Sequence, residues 1–238
     1  MRPTLLLIPG LLNTPRVFDR LRALWRDEDA ALRVADIRQA DSLAGMADAA
    51  WREVAQLPPD QPLVLAGYSL GGYVALQMLA EPRRPVQGLG LICTSARPDT
   101  AEGAVQRERA ITAIERDFER FVGALLKFLL SPQAQTDAEL VATVRADMLA
   151  AGAAAAVRQH RAAAARPDRR GLLGQLQLPA AVLGAAADPV TPPQASEELA
   201  AGIAGATLER IEGAGHLVPF EHPDRLAAML AGLVSRAA

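Results

Sequence analysis

The chain has 238 residues, half of them hydrophobic, which is ample for one α/β domain with a full core. A formal net charge of -2, with 25 dispersed Lys and Arg, leaves no electrostatic footprint for a nucleic-acid partner. The single cysteine, Cys93, excludes an intrachain disulfide and fits a reducing compartment.

The first apolar run, Leu5-Leu6-Leu7-Ile8, ends at Pro9-Gly10. It is too short for a signal-peptide core or a bilayer span, so a cytoplasmic protein with no membrane partner is expected. Further short apolar runs read as strands at 32–37, 63–66, 89–93, 181–183 and 207–211. Nearly continuous apolar strands belong to a parallel sheet covered on both faces. Helical patterns at 15–27, 42–57 and 72–81 separate the first four, so right-handed βαβ crossovers and a doubly wound sheet follow. Such sheets bind ligands at the carboxyl ends of their strands. Cys93, inside the 89–93 run, reads as a buried structural thiol.

The run at 63–66 leads into Gly67-Tyr68-Ser69-Leu70-Gly71-Gly72 and then into a helical pattern. A serine with glycines at minus two and plus two, between strand and helix, is the nucleophile-elbow pattern. The turn is tight enough to strain the serine backbone, and side chains at 67 and 71 would collide with its neighbours. A serine that merely caps the helix is the competing reading.

From about Ala96 to Pro179 the strand signal stops. Ile111, Ile114, Phe118, Phe121, Leu125 and Leu129 form one amphipathic stripe. Leu140, Val144 and Met148 form a second, behind a cap at Thr136 or Asp137. An alanine-rich helix at about 152–165 follows. These helices are expected to be a cap inserted at a strand's carboxyl end, with ordinary helical packing on a sheet face as the alternative. The division is then a core of 1–95 and 176–238 with a cap of 96–175.

A serine hydroxyl needs a base, and three histidines are available. His216 follows the last strand pattern, in Glu212-Gly213-Ala214-Gly215-His216, and is the choice. His222 precedes Pro223 and reads as a surface or capping residue, while His160, between Arg158 and Arg161, reads as a solvated helix face. The base needs a carboxylate to fix its tautomer, and Asp188, after the 181–183 strand, is well placed. Asp99 and Glu212 are its rivals, Asp99 the more serious. Three scattered histidines and one cysteine offer no metal-ligand spacing, and no cofactor is implied.

Ser69 in G-Y-S-L-G-G, Asp188 in A-D-P-V-T-P-P and His216 in G-A-G-H-L-V-P-F-E, in that order, resemble the α/β-hydrolase superfamily. More narrowly, the chain is similar to its compact, capped esterase and lactonase-like members. The resemblance implies an α/β-hydrolase fold with about six strands, without the antiparallel N-terminal hairpin common in the family. It implies an oxyanion hole from the N–H of Leu70 and, in the loop after the first strand, of Leu11, with Leu12 next. Many relatives carry His-Gly where this chain has Pro9-Gly10, and Asn13 is a candidate to brace that loop. The glycine common three residues before the acid is replaced by Ala185, with Gly184 one residue earlier.

The expected reaction is hydrolysis of a small-molecule carboxylic ester or lactone through an acyl-enzyme. Cleavage of a carbon–carbon or peptide bond by the same triad, or a receptor that keeps the pocket without turnover, are the alternatives. The expected substrate pocket is Leu12, Asn13, Tyr68, Phe118, Phe121, Leu125, Met148, Val190 and Leu217, with Tyr73 beside the nucleophile. Arg145, Arg158 and Arg161 read first as solvated charges and second as receivers of a substrate carboxylate.

Overall fold

The computed structural model describes residues 1–26 and 29–237. In chain order its core begins with β1 (Thr4–Ile8), α1 (Asp19–Leu24), β2 (Ala31–Val34), α2 (Leu43–Glu53), β3 (Leu63–Tyr68), α3 (Leu70–Ala80) and β4 (Gly88–Ile92). Then come α4 (Ala101–Arg116), α5 (Phe118–Leu129), α6 (Ala138–Ala151), α7 (Ala153–Ala164) and α8 (Arg170–Leu173). The chain closes with β5 (Ala180–Ala185), α9 (Pro193–Gly202), β6 (Thr207–Ile211), α10 (Val218–Glu221) and α11 (Pro223–Ala237).

The strands form one six-stranded sheet in the order β2-β1-β3-β4-β5-β6, and every neighbouring pair is parallel. Every residue of β1, β3, β4 and β5 is buried, because helices cover both faces. Alternation along β1 divides the core. Leu5 and Leu7 pack with Leu21 of α1 and Leu226, Leu230 and Leu233 of α11. Leu6 and Ile8 pack with Met46 and Trp51 of α2, Val74 of α3 and Leu199 of α9. Among the described residues no single helix is long and apolar enough to cross a membrane.

The helix expected over 42–57 ends at Glu53, and three further elements differ from the sequence reading. The helix expected over 15–27 is a 3-10 turn at Pro15–Phe18, capped by Thr14, followed by the short α1; position 27 lies outside the described residues. The strand expected at 32–37 ends at Val34, and Ala35 and Ile37 continue into the loop as buried side chains. The single stripe from Ile111 to Leu129 is two helices. Asp117 breaks it: its backbone is extended at φ -162°, and its carboxylate accepts the Arg120 N–H as the N-cap of α5. Of the two caps expected for the next helix, Asp137 fills the role, accepting from Leu140 N.

Leu65 sits at the centre of β3, fully buried. Leu65→Ala is expected to lower unfolding stability by about 2–5 kcal/mol in a urea titration. A loss below about 1 kcal/mol would mean that the sheet core tolerates a cavity there.

Candidate active site

Ser69 occupies the single position between β3 and α3, with φ 51° and ψ -114°. A non-glycine residue there is strained, and strain of this kind persists only where neighbours enforce it. They do so on both sides. Ser69 N donates to the Ile92 carbonyl at 2.8 Å, and the Thr94 hydroxyl donates to the Ser69 carbonyl at 2.8 Å. The glycines follow from crowding. A Cβ on Gly67 would strike the Gly71 carbonyl, one on Gly71 the Ile8 carbonyl, and one on Gly72 the Thr94 side chain. α3 therefore starts pressed against the carboxyl ends of β1 and β4, with the serine hydroxyl at their rim.

His216 arrives from the loop after β6 and is 4% exposed. Its Nε2 lies 3.0 Å from Ser69 Oγ, and its Nδ1 lies 2.7 Å from Asp188 Oδ2. With a carboxylate facing Nδ1, that nitrogen carries the proton and Nε2 is left to accept from the serine. Asp188, just past β5, also accepts Val190 N at 2.8 Å, Thr191 N at 2.9 Å and the Thr191 hydroxyl at 2.5 Å. Burial works to raise its carboxyl, but the His216 and Thr191 hydrogen bonds outweigh it and hold the group below its ordinary value. The buried Cys93 thiol lies against this pair, its ionisation pushed up by burial first and by Asp188 second.

The rival acids are engaged elsewhere. Asp99 accepts from Arg107 Nε at 2.5 Å and from Arg166 at 3.1 Å, and Glu212 pairs with Arg210. His222 accepts Leu226 N through its backbone carbonyl, at the junction of α10 and α11.

The loop after β1 carries the other half of the site. Leu12 N donates to Gln159 Oε1 at 2.8 Å, whereas the Leu11 N–H has no acceptor among the described residues. Leu11 and Leu70 both line the cavity that holds Ser69. Leu12 has φ 60°, a second strained residue at this rim. Asn13 points away from the cavity and donates to Asp147 Oδ2 at 3.2 Å. The same carboxylate of α6 receives Thr14 N at 3.3 Å and the Thr14 hydroxyl. Burial raises the Asp147 carboxyl above its ordinary value, against the downward pull of Thr14 and Asn13. Gln159 and Asp147, which the sequence reading missed, thus anchor this loop from α7 and α6.

The His216 loop is anchored the same way. Its N–H donates to the Leu129 carbonyl at the end of α5 at 2.8 Å, and its carbonyl accepts the Tyr68 hydroxyl at 3.1 Å. Glu221 accepts both Gly215 N and Ser131 N. A Cβ on Gly215 would meet Leu129 and Ser131 backbone, so this glycine permits a close approach.

A cavity of about 130 Å³ opens over Ser69. Of the residues expected to line it, Tyr68, Leu125, Val190 and Leu217 do so, as does Tyr73. The others are placed elsewhere for packing reasons. Leu12 and Met148 are enclosed in the core, Asn13 is committed to Asp147, and Phe118 and Phe121 pack on that core from its edge. Leu129, Ala163, Arg107 and His160 complete the lining. His160 is thus not on a solvated face but 8% exposed. The arginines singled out in the sequence lie outside the cavity: Arg145 pairs with Glu119, Arg158 donates to the Arg38 carbonyl, and Arg161 is exposed.

Residues 5–229 match the model of the alpha/beta hydrolase family. A pimeloyl-(acyl-carrier protein) methyl ester esterase of Neisseria meningitidis is 28% identical over 176 residues, 71% of this chain and 68% of that protein. Its counterpart in Aromatoleum aromaticum is 31% identical over 202 residues, 78% of this chain and 79% of that protein. A solved thermophilic esterase of Thermogutta terrifontis, with malate bound, superposes with a TM-score of 0.86 at 26% identity, covering 100% of this chain and 90% of the other. The chain belongs to the alpha/beta hydrolase family, as the fold and the elbow already indicate. Within that family it is an esterase-type hydrolase.

Asp147→Leu would strand Asn13 Nδ2 and the two Thr14 donors in a buried site, at a cost of about 1–3 kcal/mol of stability. Asp147→Asn keeps an acceptor for the amides and turns a donor to the Thr14 hydroxyl, so its loss in the same urea titration is expected to be the smaller of the two.

Proposed function

We propose that the protein hydrolyses a small-molecule carboxylic ester or lactone by attack of Ser69, through an acyl-enzyme. The observation that carries this reading is the unbroken hydrogen-bonded line from Ser69 Oγ through His216 to Asp188. His216 Nε2 takes the serine proton as Oγ adds to the carbonyl carbon, and Asp188 stabilises the imidazolium that forms. The negative oxygen then needs fixed donors, and the Leu70 and Leu11 N–H groups are the pair offered at the cavity wall. Leu12, whose N–H is spent on Gln159, is not the second donor. His216 returns its proton to the departing alkoxide, and the same histidine activates water to release the acid. Every step uses groups of the chain itself.

The segment 96–175 acts as the cap. It supplies Arg107, Leu125, Leu129, His160 and Ala163 to the cavity, so the substrate's outer part is read by residues of α4, α5 and α7. The names of the Neisseria and Aromatoleum relatives point the same way, toward alkyl esters of acyl chains.

Ser69→Ala is expected to lower kcat for short p-nitrophenyl esters at least about 10³-fold while thermal unfolding is unchanged. Retained turnover would overturn the assignment of the nucleophile. Labelling of the wild-type protein by a fluorophosphonate at Ser69, and not in the alanine variant, separates an enzyme from a receptor.

Asp188→Asn should present the wrong tautomer of His216 and cost about 10⁴-fold in kcat. Asp99→Asn is expected to cost much less, because Asp99 faces Arg107 and Arg166 rather than His216. The reverse ranking in steady-state kinetics would move the acid to Asp99.

A further inference from the structure

The cavity over Ser69 contains polar groups for which hydrolysis of a plain ester has no use. His160, on α7, is 92% enclosed, being 8% exposed, and lines the cavity. Among the described residues, neither of its ring nitrogens has a hydrogen-bond partner. A buried, unpartnered polar group is costly, so it marks either a defect or a place where a ligand supplies the partner. Burial first and the neighbouring Arg107 second push its ionisation down to about 4, against the opposing effect of Asp99. Near neutral pH the ring is therefore uncharged, with one N–H to donate.

Arg107, on α4, lines the same cavity. Its Nε is held by Asp99 Oδ2. Asp99 is shared with Arg166, which donates to its other oxygen and stacks over the Tyr73 ring at 4.6 Å. Two guanidinium groups thus converge on one carboxylate, and the cluster keeps an excess of one positive charge at the wall of an otherwise apolar pocket. In a site of low dielectric that excess favours a single negative charge, and a fixed guanidinium fork suits a carboxylate. Within the lining, Leu125, Leu129, Ala163 and Leu217 have only hydrocarbon to offer a substrate's methylenes.

We propose that Arg107 and His160 form a subsite for a carboxylate carried by the substrate, so that the preferred ester is the half-ester of a short dicarboxylic acid. The ester carbonyl lies at Ser69, the methylenes run along the apolar wall, and the free carboxylate meets the Arg107 guanidinium and the His160 N–H. This specifies the substrate class of the reaction proposed above and rests on that reading for catalysis, though not for binding.

The test compares methyl hydrogen glutarate with its uncharged isostere, methyl 5-methylhexanoate. Expected is a kcat/KM for the half-ester at least about tenfold above that for the isostere, with the ratio collapsing toward one in Arg107→Met and in His160→Leu. Binding is read separately by calorimetry on Ser69→Ala, where the half-ester should bind at least about tenfold more tightly than the isostere, a preference lost when either substitution is added. Should Arg107→Met fail to fold, His160→Leu carries the same comparison, since it removes a donor without touching the Asp99 cluster. Equal binding of both esters to Ser69→Ala, or equal losses for both in the variants, would overturn the subsite while leaving the serine mechanism standing. Selective binding of the half-ester with no turnover by the wild-type protein would instead uphold the subsite and overturn the proposed reaction.

Discussion

The close approach of the start of α3 to the carboxyl end of β1 is the constraint on which the rest of the site depends. At Gly71 there is no room for a single carbon between helix and strand, because the Ile8 and Pro9 carbonyls occupy it. That contact sets the position of Ser69 relative to the loop after β1, and hence where its hydroxyl stands relative to the backbone of Leu11 and Leu70. The strained backbone of Ser69 is the consequence of this geometry. The Ile92 carbonyl and the Thr94 hydroxyl hold it, so the tension is distributed over β4 as well as β1. A serine that simply capped α3 would need none of this, and the absence of a side-chain cap hydrogen bond on Ser69 agrees with that distinction.

The tight turn at Ser69 and the placement of Asp188 and His216 near it were legible in the sequence because each rests on local backbone requirements. Gly67, Gly71 and Gly72 record collisions within a few residues or with the next strands, and parallel strand order delivers Asp188 and His216 to one edge. Long-range satisfaction of polar groups left no such trace. Gln159 and His160 sit among alanines and arginines, in a composition that reads as a solvated helix. Both are buried on α7, which packs along α4, one facing the Leu12 amide and the other the cavity. Arg107 was equally silent, since an arginine on a polar helix face looks the same whether it meets water or a pocket. The division at Asp117 is a different failure. The apolar period runs unbroken from Ile111 to Leu129, and only the aspartate three residues before Arg120 hints that one helix stops and another begins.

The segment from α5 to α7 takes part in holding the loops around Ser69. Asp147 and Gln159 reach down to Asn13, Thr14 and Leu12, and Leu129 and Ser131 grip the His216 loop from the other side. The loop after β1 is thus tied to α6 and α7, and the His216 loop to the end of α5 and to Ser131 just beyond it. The loop that begins at Pro9-Gly10 is held by hydrogen bonds to Gln159 and Asp147.

This arrangement couples specificity to catalysis through the backbone. A substitution in α7 that alters the cavity wall also bears on what holds Leu12, because the residues with the two duties are neighbours in the chain. Gln159 and His160 are adjacent, one braced against the oxyanion loop and the other facing the cavity. A rotation of α7 that moved His160 toward a longer substrate would pull Gln159 from Leu12 N and free a competing amide beside Leu11. A change of the pocket made by moving α7 therefore also acts on the loop after β1. Rigid packing of Ala155, Ala156, Ala162 and Ala163 explains how α7 keeps both side chains in register, since small buried residues let the helix sit close to its neighbours with little freedom to turn.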